Sequence, residues 1–238
     1  MPSSGTKKKR VIDQNPFKVL DAPYLQDDYY LNVVDWSVKN NLAVGLANSV
    51  YIWNFNNNKV NKLSNFDDFN LASSVSWDIQ SENLAIGTVQ GTVEFWDVAH
   101  QKKLLTFSDH QERVGAVSLV GNYFITGSRD RCIYFYDLRQ NKKPVQKYTN
   151  HKQEVCGLKW CPNKEYFASG GNDNKFFIYS PKTSVPIMKK THKAAVKALA
   201  WSGRQNSILA TGAGTADRCL RIWDIKQKKL INKVDTGS

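Results

Sequence analysis

Sulfur, metal ligands and long apolar runs are what this chain most lacks. Its four cysteines, Cys132, Cys156, Cys161 and Cys219, show neither the C-x-x-C spacing of a zinc or redox site nor the density of a secreted disulfide scaffold. They read as reduced thiols, mostly buried. No two of the four histidines sit one helical turn apart and none has a cysteine at ligand spacing, so no metal site is expected. No stretch approaches the roughly 18 apolar residues of a membrane span. The opening MPSSGTKKKR lacks the apolar run that follows the charges of a secretory signal. The expectation is a protein inside the cell, in nucleus and cytoplasm, with no membrane partner. A nucleophile elbow, a GxxxxGK[ST] phosphate loop and an HExxH pair are missing as well. The glycines of GNDNKFFIY and GAGTADRCL lie between two strand-like runs and not before a helix, which rules out a phosphate loop on context. An enzyme is the weakest reading, and no cofactor is expected.

Acidic residues are also scarce, 21 Asp and Glu against 33 Lys and Arg, for a net charge of +12. Such an excess favours acidic partners, and a nucleic-acid or phospholipid-headgroup binder has to be weighed. The surplus is nevertheless spread along the chain; only Lys7, Lys8, Lys9 and Arg10 form a run. After PSSGT that run reads as a disordered basic tail over residues 1–15, and nucleic acid is not an expected partner.

What is present is a period. VYIWN, VEFWD, IYFYD, FFIYS and LRIWD place Trp53, Trp96, Tyr136, Tyr179 and Trp223 at separations of 43, 40, 43 and 44. A second series, Trp36, Trp77, Leu119, Trp160 and Trp201, recurs at 41, 42, 41 and 41. Between them each unit carries a third run ending in a Gly- or Asp/Asn-rich turn: NLAVGLANS, NLAIGTVQG, YFITGSRDR, YFASGGNDN and ILATGAGTAD. Short apolar runs, tight turns and no amphipathic helix give strand, turn, strand in each unit. A unit of this length with a W-D ending is the signature of a WD-repeat blade, so the expected fold is an all-β propeller over residues 16–238 with five blades visible. His110, His151 and His192 sit in the slot where such repeats usually carry Gly-His, and Asp130, Asp173 and Asp217 in the following turn. They read as buried struts that bond the Trp or Tyr of the next strand, not as catalysts.

One stretch does not belong to the period. VLDAPYLQDDYYLN gathers Asp21, Asp27 and Asp28 beside three tyrosines in an otherwise basic chain. From residues alone, Asp21 ahead of Ala22-Pro23 caps a turn and Asp27-Asp28 is a solvated loop.

VLDAPYLQDDYYLNVVDW, together with NSVYIWN, GSRDRCI, HKQEVCGLKW, FASGGNDNK, HKAAVKALAW, GTADRCLRIWD and VDTGS, resembles the Fizzy and Fizzy-related family, closer to the Fizzy-related branch. These are substrate-recruiting activators of the anaphase-promoting complex, a ubiquitin ligase. The resemblance implies a receptor for two short degrons, with the ligase's subunits, degron-bearing substrates and pseudosubstrate inhibitors as partners. Asp21 matches the carboxylate for the arginine of the destruction box, and Leu20, Pro23 and Val60 the pocket for its leucine, in a groove between first and last blades. Asp28 and Tyr29 match the residues that take the lysine and adjoining backbone of the Lys-Glu-Asn motif, with Asn172 and Thr215 as its polar contacts. A generic WD scaffold without degron specificity is the alternative. The pattern departs from the family in three places: GAGTAD carries Ala213 within a glycine triplet, little precedes the match where a ligase-docking extension is expected, and five blades stand against an expected seven. By this reading the propeller is incomplete at its C-terminus.

Overall fold

The computed structural model describes residues 13–140 and 143–237. Residues 1–12, most of the expected basic tail, lie outside them. The described residues form twenty strands and no helix, arranged as five four-stranded antiparallel sheets, each a meander in chain order. The first blade holds β1 (Val34–Trp36), β2 (Asn41–Leu46), β3 (Ser49–Asn54) and β4 (Val60–Asn65). In the second are β5 (Ala72–Trp77), β6 (Asn83–Thr88), β7 (Val93–Asp97) and β8 (Lys102–Phe107). The third takes β9 (Ala116–Val120), β10 (Tyr123–Gly127), β11 (Ile133–Asp137) and β12 (Gln146–Tyr148). β13 (Val155–Trp160), β14 (Phe167–Gly171), β15 (Lys175–Tyr179) and β16 (Met188–Thr191) make the fourth. β17 (Val196–Trp201), β18 (Ile208–Ala213), β19 (Cys219–Asp224) and β20 (Lys229–Asp235) complete the fifth.

The first strand of each blade stacks on the first strand of the next, so the blades follow one another around an axis as an arc of a propeller. Apolar side chains from facing sheets fill the seams; between the third and fourth blades Ile125, Phe135, Leu158, Trp160 and Phe167 form one cluster. Being covered on both faces, the second and third strands of the inner blades are buried nearly throughout, as in β6 and β11. Fourth strands lie outermost and stay wet: β20 is exposed along its whole length. Innermost tryptophans also lock the seams, since the indoles of Trp77 and Trp201 donate to the carbonyls of Asp35 and Lys159 one blade earlier. Trp36 has no earlier blade beside it and reaches only Asn40 of its own hairpin.

Close approach at the axis requires glycine. Gly45, Gly87, Gly127, Gly170 and Gly212 occupy matching positions in the second strands, and a Cβ on Gly87 would lie 2.7 Å from the Val114 carbonyl oxygen. Where that neighbouring backbone arrives, the first strands of the second, fourth and fifth blades carry a one-residue bulge at Ser73, Cys156 and Lys197. Extra residues of this kind re-aim a side chain. Here Ser73 Oγ and Cys156 Sγ each donate to a carbonyl of the next blade, those of Val114 and Val196.

The histidine struts form in three blades. His110, His151 and His192 each bond through Nδ1 to Asp130, Asp173 and Asp217, and through Nε2 to Thr126, Ser169 and Thr211. In the fifth blade Trp223 Nε1 donates to Thr211 and extends the network to the third strand, as the sequence predicts. In the third and fourth the longer phenols of Tyr136 and Tyr179 meet the strut hydroxyls of Thr126 and Ser169 and also donate to Asp109 and Asn150, the residues just before the histidines. Burial pushes the Asp130 carboxyl up, yet the His110 ring and the amides of Cys132 and Gln111 outweigh it and hold it at about 2. Asp173 and Asp217 are held down in the same way.

Two outcomes follow. Gly170→Ala, whose added methyl would press on the Val196 carbonyl, should lower stability by roughly 1–3 kcal/mol in denaturant unfolding, whereas Gly203→Ala, with nothing within 4 Å, should be neutral. The three strut carboxyls are more acidic in the folded than in the unfolded chain. Their contribution is therefore complete above the ordinary value of 3.8 and is lost as pH falls from there toward about 2. A denaturation midpoint that stays flat across that window would contradict the assignment.

Candidate functional site: a lead-in segment between two recesses

Residues 18–33 belong to no strand of the blades, apart from a parallel bridge of Asn32 with Ser74 of β5; they run along the first blade and then across the axis. The direction is set by a β-turn closed by the Leu25 amide on the Ala22 carbonyl, with Pro23 second and Tyr24 third at φ 64°. Proline in the second place and a positive φ in the third are what a type II turn asks for. The backbone, not Asp21, closes this turn. Among the described residues the Asp21 carboxylate accepts no hydrogen bond and joins no ion pair. Leu20, Asp21 and Pro23 face Val60 across a groove of about 980 Å³, with Val34, Leu42, Val44 and Tyr51 as its apolar floor. All four residues assigned to the destruction box therefore line one groove. Its walls come from residues 19–62 alone, so the expected second wall from a last blade is not contributed by the fifth.

Asp28 begins a second turn. Its Oδ1 accepts from the Tyr30 amide at 2.8 Å, an Asx-type bond, and its carbonyl accepts from the Leu31 amide. The tight bend turns two adjacent rings different ways, 5.4 Å apart and nearly perpendicular. Tyr29 goes toward the fifth blade, where its hydroxyl donates to the Ala195 carbonyl. Tyr30 goes toward the fourth and donates to Asn172 Oδ1 at 2.9 Å. Asn32 then anchors the segment on the axis, its Nδ2 donating to the carbonyls of Gly115 and Cys156 at 2.6 and 3.0 Å.

Asp28 is not a solvated loop residue. Oδ2 accepts from Arg113 at 2.8 Å, and the same guanidinium makes a bidentate pair with Glu154 at 2.7 and 2.9 Å. Burial pushes the Asp28 carboxyl up, but the Tyr30 amide, Arg113 and the more distant Lys197 together pull it below its ordinary value. Glu154 foremost, and Asp28 after it, keep Arg113 firmly protonated. Lys197, the bulge residue of β17, donates to the carbonyls of Tyr29 and Leu31 at 2.6 and 2.7 Å and lies 5.3 Å over the Tyr29 ring. Desolvation lowers its pKa. A ligand ammonium arriving at Asp28 shares the carboxylate with Arg113.

The four residues assigned to the Lys-Glu-Asn motif come together on one face, but in two adjoining recesses. Tyr29 and Thr215 line the axial cavity of about 610 Å³, and Asp28 and Asn172 line a neighbouring one of about 560 Å³. Tyr30, Arg113, Glu154, Asn32 and Lys197 were missed from sequence. Arg113 and Glu154 do share a signal, standing at matching places in HQERVGAV and HKQEVCGL, although nothing in either motif says that they meet.

A family model described as the CDC20/Fizzy WD40 domain matches residues 20–238. Protein FIZZY-RELATED 1 of Arabidopsis thaliana is 47% identical over 236 residues, which cover 99% of this chain and 50% of the relative. Meiotic fizzy-related protein 1 of Schizosaccharomyces pombe is 43% identical over 233 residues, 98% of this chain and 55% of the relative. A chain from the solved structure described as "Crystal Structure of Mitotic Checkpoint Complex" superposes with a TM-score of 0.93 at 39% identity, over 100% of this chain and 73% of that one. This chain thus spans about half the length of the curated relatives it matches.

Removal of Arg113 would leave two carboxylates facing each other under the lead-in segment. Because Asp28 is about a third exposed, Arg113→Ala should cost roughly 1–3 kcal/mol, below the range for fully buried pairs. Hydrogen exchange at the Tyr30 and Leu31 amides should quicken more than exchange in β10 or β14. Equal protection in the variant would show that the ion pair does not hold the segment down.

Proposed function

This chain belongs to the CDC20/Fizzy WD40 family, and on that premise we propose that it is a substrate-recognition module and activator for the anaphase-promoting complex, holding destruction-box and Lys-Glu-Asn peptides of cell-cycle proteins. The observation that carries the reading is Asp21. A carboxylate that has no partner among the described residues stands at the rim of an apolar groove, joined through Leu20 and Pro23 to its floor. An extended peptide with an arginine and, further on, a leucine offers the matching pair of groups. The guanidinium fork suits a carboxylate that still has both oxygens available, and a leucine entering the groove would gain roughly 1.5–3 kcal/mol if fully buried.

The second receptor rests on the convergence of Asp28, Tyr29, Asn172 and Thr215. Tyr30 occupies Asn172 Oδ1, and among the described residues nothing accepts from the Asn172 side-chain NH2. That amide suits a carbonyl or carboxylate of the guest. Thr215 is exposed at the hairpin tip after Gly214, whose backbone lies beneath the Tyr29 hydroxyl. Nothing in either recess resembles catalytic machinery, and the proposal is recognition without chemistry. Arabidopsis and fission-yeast relatives carry Fizzy-related names, and a Dictyostelium discoideum relative, 37% identical over 270 residues, is named "Anaphase-promoting complex subunit cdh1". Those names agree with the reading.

The test is binding of fluorescent destruction-box and Lys-Glu-Asn peptides to the chain. Asp21→Arg should abolish destruction-box binding, a loss of at least about tenfold for removing a charge-assisted pair, and leave the Lys-Glu-Asn peptide unaffected. Undiminished destruction-box affinity in Asp21→Arg would remove the groove assignment. Equal affinity for scrambled peptides would favour a generic scaffold.

A further inference from the structure

The recess holding Asp28 and Asn172 continues along the seam between the third and fourth blades into another of about 480 Å³, and Arg131 and Lys152 line both. The three carboxylates along this groove are committed inward. Asp28 and Glu154 bind Arg113, while Asp130 is held by His110 and by the amides of Gln111 and Cys132. The cations are not matched in the same way. Arg129 reaches only Glu112, at 3.3 Å, with both side chains half or more exposed. Among the described residues Arg131 and Lys152 hydrogen-bond through their backbone amides alone. Arg131 moreover sits at the hairpin tip with φ 72°, a conformation that Gly or Asn adopts with less strain. The fold tolerates a strained arginine there, and among the described residues its guanidinium has no hydrogen-bond partner.

We propose that this groove receives a phosphorylated serine or threonine that the bound peptide carries beside its Lys-Glu-Asn motif, so that the face reads a phosphate together with the motif. The inference rests on the reading above that the motif lies at Asp28, Tyr29, Asn172 and Thr215. A phosphate monoester brings nearly two negative charges and three acceptor oxygens. Arg131 supplies a two-pronged donor and Lys152 a compact point charge, with Arg129 able to turn from its exposed carboxylate. An aspartate carries less charge and fewer oxygens and would fill the site poorly. A nucleic-acid backbone needs cations along a track, whereas these three share the lining of one recess.

Binding to the full chain is measured for a Lys-Glu-Asn peptide unphosphorylated, phosphorylated at successive positions on either side of the motif, and with aspartate in place of phosphoserine. At one position or two neighbouring ones the phosphate should tighten binding about tenfold, as expected for new charge-assisted hydrogen bonds. Aspartate should recover little of that gain, and added salt should erode it. The double variant Arg131→Asn, Lys152→Gln should bind the phosphorylated and unphosphorylated peptides equally, and its continued binding of the unphosphorylated peptide reports that the face is still folded. No gain at any position, a gain that survives in the double variant, or competition by a single-stranded oligonucleotide as strong as by the phosphopeptide would each overturn the proposal. If the unphosphorylated peptide fails to bind while a phosphopeptide binds through Arg131 and Lys152, the motif reading falls and the phosphate site stands.

Discussion

The axis of this molecule depends on one close approach: in each blade the second strand carries a glycine near its inner end, and an added Cβ has no room at Gly87, Gly127 and Gly170 and little at Gly45 and Gly212, where its nearest neighbours would lie 3.0 and 3.2 Å away. Because sheets otherwise pack about 10 Å apart, blades can converge only if their inner ends are thinner than their outer ends. Glycine supplies that thinness, and the bulges beside it convert the crowding into directed hydrogen bonds. Asn32, Ser73, Gly115, Cys156 and Lys197 recur at 41, 42, 41 and 41 residues, one to each blade. Ser73 and Cys156 bond forward to the next blade, Asn32 binds two carbonyls at once, and Lys197 turns back to grip the lead-in segment. What looks like a channel lining is a set of fasteners that the repeat places automatically.

On that platform the lead-in segment acts as a wall shared by both recesses. Asp21 and Asp28 stand seven positions apart, yet their surroundings are opposite in kind. The first keeps its carboxylate unengaged beside apolar floor, and the second spends its carboxylate on Arg113 and the Tyr30 amide. The difference is one of location. Asp21 lies on the flank of a single blade, while Asp28 lies in the recess beside the axis, bonded to Arg113 of the third blade and lined on its other side by Glu154 and Asn172 of the fourth.

The sequence made the blades legible because each repeats an aromatic ending, a glycine and a turn at a nearly fixed interval, and because facing sheets require apolar residues at those places. The fourth strands follow from the blade template but have no run of their own to place them. KKLLTF, MKKT and KLINKVD are rich in lysine, since an outermost strand has water beside it and needs no apolar alternation. Residues tied to function split along the same line. Asp21, Asp28, Asn172 and Thr215 sit in motifs whose wording resembles a family and so could be named. Arg113 with Glu154, and Lys197 with Tyr29, are pairs 41 and 168 residues apart, and no local pattern encodes a partner at that distance. The fate of the tyrosines was hidden for a simpler reason: a phenol carries its hydroxyl farther than an indole N–H, so Tyr136 and Tyr179 reach on to Asp109 and Asn150 while still meeting the strut hydroxyls of Thr126 and Ser169.

The attachment of Tyr29 to Ala195 and Lys197 has a consequence for biosynthesis. Those partners are made about 170 residues after the tyrosine, so on a ribosome working at roughly 5–20 residues per second the lead-in spends on the order of ten seconds or more without its seat. Until the fifth blade has emerged, Tyr29 lacks the Ala195 carbonyl and the Lys197 ammonium that seat it, although Arg113 and Asn172 are already present for Asp28 and Tyr30. The segment is therefore fastened in steps, by the third blade at Asp28, then by the fourth at Tyr30 and last by the fifth at Tyr29, an order of assembly written into topology.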